Sequence, residues 1–548
     1  MATIKISKEE LKKHIKLDDS IIEKINMFGT PIESINDERI ELEIMPNRPD
    51  LLSPQGFIRA FKAFMGKETG LKKYRVHSPE KDFKVKISDS VSEVRPYTAC
   101  AIVKKLKLDD EKIRNLIELQ EKLHTTVGRN RKKAAIGIYP LEKITLPISY
   151  EARKPGEIRF IPLEAEKEMT GSQILQQHPT GKEFAKLLEN YSTFPIFVDA
   201  KGKVLSMPPI INSNEIGKVI ETTKEVFIEC SGSTLEVLKK ILNIIVTTLA
   251  EMGGEIYAMD LEYEKNKITT PDLKPEKLTL SLDNTNKLLG LRLKEKDVEK
   301  LLPRMGYEYS KGKVLVPVWR TDILHEVDII EDIAIAYGYE NLVPEMPEVA
   351  TTGEESKESK ISSKLSELLV GLGLIETSSY HLIKADEAER AKLEENEKIE
   401  LENSKTEYKM LRPNLLIPAL RTFAENKDNE YPQRIFEIGT TFRKNKMNSA
   451  ETGIKESEHL IIATSPSNFT DMKQILDYLT RMIDIKYELK EAKHEHLIEG
   501  RTGTILIYNK PIGYIGEVHP EFLREWNIKM PLSIIEISLD EIFNKFKA

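Results

Sequence analysis

The chain is poor in cysteine and in long hydrophobic runs. Its 548 residues include two cysteines, Cys100 and Cys230, whose wide separation fits no zinc-binding or redox motif. We therefore expect both to be small core residues in a reducing compartment. No uncharged apolar run approaches the roughly 18 residues of a membrane helix, and the first ten residues lack a signal-peptide core. These absences predict a soluble cytoplasmic protein with no membrane partner.

An excess of positive charge is also lacking. The 82 basic and 89 acidic residues give a net charge of −7, so no global field draws the protein onto nucleic acid. Any RNA contact must then come from a local basic patch or from a partner chain. The densest basic run supplies Arg129, Arg131, Lys132 and Lys133 as predicted phosphate contacts in a loop. A solvated loop is the alternative.

An acidic helix is the most informative feature that is present. From Leu324 to Tyr337 the chain has no glycine or proline, and Gly338 follows as a stop signal. A helical period places Ile330, Ile333, Ala334 and Tyr337 on one face and Asp328, Glu331 and Asp332 on the other.

Three carboxylates spaced i, i+3 and i+4 repel one another unless something neutralises them. Asp322 precedes the helix and can turn toward the same face as Asp328, Glu331 and Asp332. Four oxygen donors in one region suit Mg²⁺. The alternative is a solvated acidic face with Asp322 as the N-cap.

Several motifs occur in a fixed order along the chain. They are Asn47-Arg48-Pro49-Asp50-Leu51, Ser206-Met207-Pro208-Pro209-Ile210-Ile211-Asn212-Ser213, Arg320-Thr321-Asp322-Ile323, Asp328-Ile329-Ile330-Glu331-Asp332, Tyr337-Gly338-Tyr339, Arg434-Ile435-Phe436-Glu437-Ile438-Gly439 and Gly513-Tyr514-Ile515-Gly516-Glu517-Val518-His519-Pro520. With these motifs the chain resembles, over essentially its whole length, the β subunits of phenylalanyl-tRNA synthetases. It is most similar to the archaeal and eukaryotic type.

The resemblance implies a multidomain α+β protein. The expected parts are an N-terminal α+β domain at 1–85, an editing (B3/B4-like) domain at 86–262 and a B5 domain at 268–344. A linker at 345–358, rich in Pro, Thr, Gly, Ser and Glu, is expected to lead to a degenerate class II synthetase-like antiparallel-sheet domain at 359–548.

The resemblance implies a phenylalanine–tRNA ligase in which a separate α subunit carries the ATP-dependent aminoacylation site. The implied partners are that α subunit, in an α₂β₂ tetramer, and tRNA(Phe). The implied cofactor is Mg²⁺ at Asp322, Asp328, Glu331 and Asp332, with ATP used at the α subunit. We expect no catalytic residues for aminoacylation in this chain, because Arg434 precedes Glu437 by three positions where class II chemistry needs two. The alternatives are a free-standing RNA-binding or scaffold protein and a self-sufficient ligase.

The resemblance further implies hydrolysis of tyrosine that has been esterified by mistake. A hydrophobic phenylalanine pocket rejects an added hydroxyl only modestly, so a second sieve is needed. Phe197, Ser206, Glu229 and Ser231 match the family's editing positions, although the family usually has Leu, Asp and Thr at 197, 229 and 231. The alternatives are a turn residue for Ser206 and an exposed strand end for Glu229.

Overall fold

A computed structural model describes residues 2–216, 218–346, 352–445 and 452–547. The chain divides into two compact units, Met1–Met346 and Pro347–Ala548. Each unit mixes helices with more than one sheet, which confirms the predicted α+β class. Part of the predicted linker, residues 347–351, lies outside the described residues.

The first unit begins with a small three-stranded sheet and three helices. Its elements are β1 (Ala2–Ser7), α1 (Lys8–His14), α2 (Asp19–Met27), β2 (Ile32–Ile35), β3 (Arg39–Ile44) and α3 (Pro54–Phe64), with strand order β1-β3-β2. The Ser53 hydroxyl accepts the Gly56 N–H at 3.1 Å and so caps α3, whose first residue is proline. Arg48 donates two 2.9 Å hydrogen bonds to Asp50 and braces the preceding loop.

A large sheet with flanking helices follows. The elements are β4 (Val76–His77), β5 (Lys84–Ile87), β6 (Tyr97–Lys104), α4 (Asp110–Thr125), β7 (Ala134–Pro140), β8 (Ile148–Arg153), β9 (Arg159–Phe160), β10 (Met169–Thr170), α5 (Gly171–Gln177), α6 (Pro179–Phe184), β11 (Phe194–Val198), β12 (Val204–Met207), β13 (Ile211–Asn212), β14 (Val226–Gly232), α7 (Leu235–Glu251), β15 (Glu255–Glu262) and β16 (Lys267–Thr270). The strand order is β13-β12-β11-β8-β5-β15-β6-β14-β7, and β4 and β16 also pair with β15. The apolar stripe of α7 is buried against this sheet.

The first unit ends in a compact module that carries the acidic helix. Its elements are β17 (Glu276–Thr279), α8 (Leu282–Leu289), α9 (Glu295–Arg304), β18 (Glu308–Ser310), β19 (Lys313–Val316) and α10 (Glu326–Tyr337), with strand order β17-β19-β18. Helix α10 ends where predicted, because Gly338 adopts a φ of +96° that other residues rarely adopt.

The second unit is built on a seven-stranded sheet. Its elements are α11 (Lys357–Gly371), β20 (Ile375–Glu376), β21 (Leu382–Lys384), α12 (Ala385–Arg390), β22 (Ile399–Glu400), β23 (Tyr408–Leu411), α13 (Leu416–Glu425), β24 (Gln433–Lys444), β25 (Ile454–Ser465), α14 (Phe469–Met482), β26 (Tyr487–Glu491), β27 (Leu497–Ile507), β28 (Lys510–Val518), α15 (Pro520–Glu525), β29 (Ser533–Ser538) and α16 (Asp540–Lys547). The order is β20-β24-β25-β29-β28-β27-β26, antiparallel except for the β20–β24 pair. Neighbouring residues such as Ile461 and Ile462 belong to separate apolar clusters, so both faces of the sheet are covered.

None of the helices within the described ranges is both long enough and apolar enough to cross a membrane.

Candidate functional site

A cleft of about 200 Å³ lies where the two end strands of the large sheet in the first unit, β7 and β13, approach each other. Helix α4, the loop at 129–133, β7 and the segment 208–212 form its walls, and Glu229 of β14 also lines it. A larger cavity of about 740 Å³, beside segments 71–79 and 269–275, contains none of the predicted site residues. The smaller cleft is therefore the one that carries the predicted chemistry.

The sheet register places the predicted editing residues on neighbouring strands. Phe197 of β11 pairs with Ser206 of β12, and Ser206 pairs in turn with Asn212 of β13. On β14, Glu229 pairs with Gly137 of β7, and Ser231 is two residues farther along the same face. Phe197, Ser206, Glu229 and Ser231 are each at most 1% exposed. The alternatives are thus wrong, because Ser206 lies within a strand and Glu229 lies in the interior of one.

Tyr139 joins the two groups of strands, and no sequence motif pointed to it. Its hydroxyl lies 3.2 Å from Glu229 Oε1 and 3.2 Å from Asn212 Oδ1. In the described part of the chain, Glu229 Oε2 and the hydroxyls of Ser206 and Ser231 are buried without a hydrogen-bond partner. Buried polar atoms without a partner are uncommon in folded proteins. Glu229 lines the cleft, and Ser206 and Ser231 lie on the strands beside it, which indicates a site that a polar ligand completes.

Glu229 is the group whose charge the cleft changes most. Burial raises its pKa to about 8, although the Tyr139 hydroxyl and the Arg95 guanidinium both act to lower it. The Ser231 hydroxyl also acts to lower this pKa, although it is not placed to form a well-directed hydrogen bond with the carboxyl group. Arg95 is itself buried and donates a hydrogen bond to the Ser231 carbonyl oxygen. At neutral pH the Glu229 side chain is thus mostly a neutral carboxylic acid, which can donate as well as accept a hydrogen bond.

His124 on α4 forms a second buried contact that the sequence did not predict. Its Nε2 accepts the Ile136 N–H at 2.8 Å, so in the neutral ring the proton is on Nδ1, 3.2 Å from Glu121 Oε1. Burial lowers the pKa of His124. The neutral ring therefore ties α4 to β7 beneath the cleft.

The basic loop divides into inward and outward side chains. Arg129, Asn130 and Arg131 all have positive φ, which turns Arg131 toward the cleft. There Arg131 donates to the Ile210 carbonyl at 3.0 Å, pairs with Glu121 at 3.3 Å and lies over the Phe184 ring. Arg131 is consequently a wall of the cleft. The other three predicted phosphate contacts differ in exposure: Arg129 and Lys132 are exposed, and Lys133 is half-buried.

The predicted metal ligands separate into two pairs. Arg320 donates to Asp322 Oδ1 at 2.9 Å and contacts Asp332 Oδ2 at 2.7 Å. Tyr307 also donates to Asp332, which is buried. The helical period grouped Asp332 with Asp328 and Glu331, but Asp332 is buried, where Arg320 neutralises it, so the alternative of a solvated face is wrong for this residue.

The other two carboxylates lie nearer to solvent. Asp328 Oδ2 accepts the N–H groups of Leu324 and His325 at 2.8 Å. The N-cap is therefore His325, in a capping box with Asp328, and not Asp322. Glu331 is exposed. Within the described ranges no three His, Cys, Asp or Glu side chains form a group that could hold a metal ion. The set does not form a cage of four carboxylates, and only Asp328 and Glu331 lie outside the ion pairs of Arg320.

In the second unit, the strand that carries Arg434 and Glu437 does not present them together. Arg434 is exposed, whereas Glu437 is buried. Glu437 Oε1 accepts a 2.6 Å hydrogen bond from Arg412, which also donates to the Ser379 hydroxyl at 2.7 Å. An internal ion pair thus occupies the Glu437 carboxylate.

Comparison with known proteins first gives the class. Residues 278–339 match the family described as tRNA synthetase B5 domain, and residues 342–539 match the phenylalanyl tRNA synthetase beta chain CLM domain. The two matched segments cover the acidic-helix module and the seven-stranded sheet. The chain is therefore a component of an aminoacyl-tRNA synthetase.

Full-length relatives give the family. The chain is 38% identical over 500 residues to the phenylalanine–tRNA ligase beta subunit of Thermococcus sibiricus, covering 90% of this chain and 89% of that one. It is 35% identical over 556 residues to the Archaeoglobus fulgidus subunit, covering 99% of both. A crystal structure of an N-terminal fragment of the Pyrococcus horikoshii beta subunit matches 61% of this chain and 99% of the fragment, at 37% identity and a TM-score of 0.59. The chain belongs to the family of phenylalanine–tRNA ligase beta subunits, as its motifs predicted.

Proposed function

We propose that this chain works beside a catalytic α subunit in an α₂β₂ phenylalanine–tRNA ligase and that its cleft hydrolyses tyrosine wrongly attached to tRNA(Phe). In this proposal the α subunit attaches phenylalanine with ATP. The single observation that carries the hydrolytic part is the buried Glu229 carboxyl group that lines the cleft, with the buried, unpartnered hydroxyls of Ser206 and Ser231 on the strands beside it. Such a set is costly unless a substrate completes it.

The proposed selectivity comes from the neutral Glu229 carboxylic acid. Its free oxygen can hydrogen-bond the phenol of an esterified tyrosine, whereas a phenylalanine ester leaves it unpaired. A site built to bond a hydroxyl discriminates against the analogue without it far more strongly than an apolar pocket can. The Ser206 and Ser231 hydroxyls are the groups that we assign to holding the ester and the attacking water.

The hydrolytic proposal is tested with the reconstituted tetramer and Tyr-tRNA(Phe). We expect Glu229→Ala to make mischarged tyrosyl-tRNA accumulate, while phenylalanine charging stays intact. Glu142→Ala, at an exposed carboxylate outside the cleft, is the matched control. Unchanged hydrolysis in Glu229→Ala would remove Glu229 from the mechanism. Failure to form any complex with an α subunit would favour the free-standing RNA-binding or scaffold alternative.

The acidic helix and the basic loop have proposed ligands of their own. Asp328 and Glu331 would hold Mg²⁺ directly or through water, and the Arg320-bound Asp322 and Asp332 would supply nearby negative charge. The ion would contribute electrostatic stabilisation of this module. Arg129, Lys132 and Lys133 would contact tRNA phosphates, which position RNA without reading its sequence.

A further inference from the structure

The side chain of Tyr139 is itself a phenol, and its hydroxyl lies beside the Glu229 carboxyl group. In the proposed function that carboxyl group binds the phenol of the substrate tyrosine. We propose that Tyr139 determines the specificity of this cleft, because its hydroxyl holds one Glu229 oxygen and leaves the other to bond the phenol of an esterified tyrosine. The inference rests on the proposed hydrolytic function and goes beyond it by assigning a residue that no motif identifies.

The geometry shows a position built for this side chain. The hydroxyl is 3.2 Å from both Glu229 Oε1 and Asn212 Oδ1, and the residue is fully buried. The ring leans back over Gly137, which pairs with Glu229 on the adjacent strand. A Cβ at position 137 would collide with the Tyr139 ring and hydroxyl. The missing side chain at Gly137 is therefore what lets the phenol reach Glu229.

Packing alone does not explain why residue 139 carries a hydroxyl. Tyr139 stacks on Phe227 at a centroid distance of 6.0 Å and shares an apolar cluster with Phe197, so a phenylalanine ring would pack equally well. The hydroxyl instead connects Glu229 to Asn212, whose strand neighbour is Ser206. One atom thus links the two sides of the cleft.

The hydrogen-bond directions follow from the chemistry of a neutral carboxylic acid. Such a group has one oxygen that only accepts and one that carries the proton and donates. The single Tyr139 proton can go to only one of its two neighbours. When it is donated to Glu229 Oε1, the acid proton is on Oε2, the oxygen that has no partner in the described part of the chain, and Asn212 presents its amide N–H₂ group to the phenol oxygen. Oε2–H can then donate to the phenol oxygen of tyrosine. Phenylalanine offers no acceptor there.

The test uses the reconstituted tetramer with Tyr139→Phe, which removes one oxygen and keeps the ring. We expect kcat/KM for Tyr-tRNA(Phe) hydrolysis to fall about tenfold, the effect of losing one buried hydrogen bond, with little change for Phe-tRNA(Phe). Tyr263→Phe is the matched control, since its hydroxyl bonds the backbone of Thr98 in the same domain. Phenylalanine charging by each preparation reports an intact tetramer.

The pH profile separates a positioning role from a merely structural one. Tyr139 acts to lower the pKa of Glu229, so its loss should move the high-pH decline in tyrosyl-tRNA hydrolysis from about 8 to a higher pH. Gly137→Ala, which displaces the phenol, should show the same loss of selectivity. Equal losses for both esters, or wild-type selectivity in Tyr139→Phe, would overturn the inference. A wild-type tetramer that fails to hydrolyse Tyr-tRNA(Phe) would instead overturn the proposed function.

Discussion

Arg412 Nη1 lies 2.6 Å from Glu437 Oε1 in the interior of the second unit. The pair also explains the glycine of the Arg434–Gly439 motif, because a Cβ at Gly439 would collide with the Arg412 guanidinium. The motif therefore serves a buried ion pair in this chain. The carboxylate that could have faced a nucleotide is part of the core.

Removing the cation of this pair should strongly destabilise the second unit. Arg412→Met leaves Glu437 as an uncompensated buried charge, which costs about 3–5 kcal/mol. Chemical denaturation of the full chain measures the change. Arg434→Met, on the same strand but exposed, should change stability by only about 0.5 kcal/mol or less. Equal effects of the two substitutions would contradict the structural role of the pair.

The stability of the first unit should depend on pH through Glu229. Its pKa rises from an ordinary 4.5 to about 8 on folding, so the folded state favours the neutral form. That contribution is complete below pH 4.5 and is lost as pH rises toward 8. Relative to Glu229→Gln, the wild type should lose about 1.4 kcal/mol per pH unit across this window. Thermal unfolding at several pH values measures the difference. The difference in stability between the wild type and Glu142→Gln, which retains Glu229, should not change with pH in this window.

Magnesium binding should depend on the two outward carboxylates of the acidic helix. The double variant Asp328→Asn/Glu331→Gln removes both charges, while asparagine retains the ability to accept the backbone N–H groups. We expect equilibrium dialysis to show loss of Mg²⁺, whereas Asp37→Asn/Glu38→Gln, at exposed positions elsewhere, should keep it. A double variant that retains its metal would show that the ion binds at another place.

The exposed arginine and lysine of the basic loop should contribute to RNA affinity electrostatically. Arg129→Ala/Lys132→Ala should weaken tRNA binding and lower the slope of log affinity against log salt by about one per lost phosphate contact. Binding titrations at several salt concentrations measure both quantities. If exposed Lys405→Ala/Lys409→Ala reduced the salt slope equally, the loop would have no special role.

Local signals in the sequence predicted local structure well. Gly338 predicted the end of α10, whose last residue is Tyr337. Capping and glycine conformation act within a few residues, so they can be read without a fold. The start of α10 was predicted less well. The N-cap is His325, in a capping box with Asp328, and not Asp322 as the alternative interpretation had it.

Contacts between distant segments were not predictable in this way. Arg320 pairs with Asp322 and Asp332 in the interior, although helical spacing grouped Asp332 with Asp328 and Glu331. Tyr139 meets Asn212 and Glu229 only because the sheet brings β7, β13 and β14 together. The resemblance located Ser206 and Glu229, but strand register decided what surrounds them.

The account depends on a division of labour in which this chain supports phenylalanine attachment without binding ATP for the chemistry. ATP–pyrophosphate exchange, measured with the purified chain alone, with the α subunit alone and with both together, tests this most directly. We predict no phenylalanine-dependent exchange by the isolated chain and robust exchange when the two subunits are combined. Exchange by the isolated chain at a rate comparable to that of the complex would contradict the account.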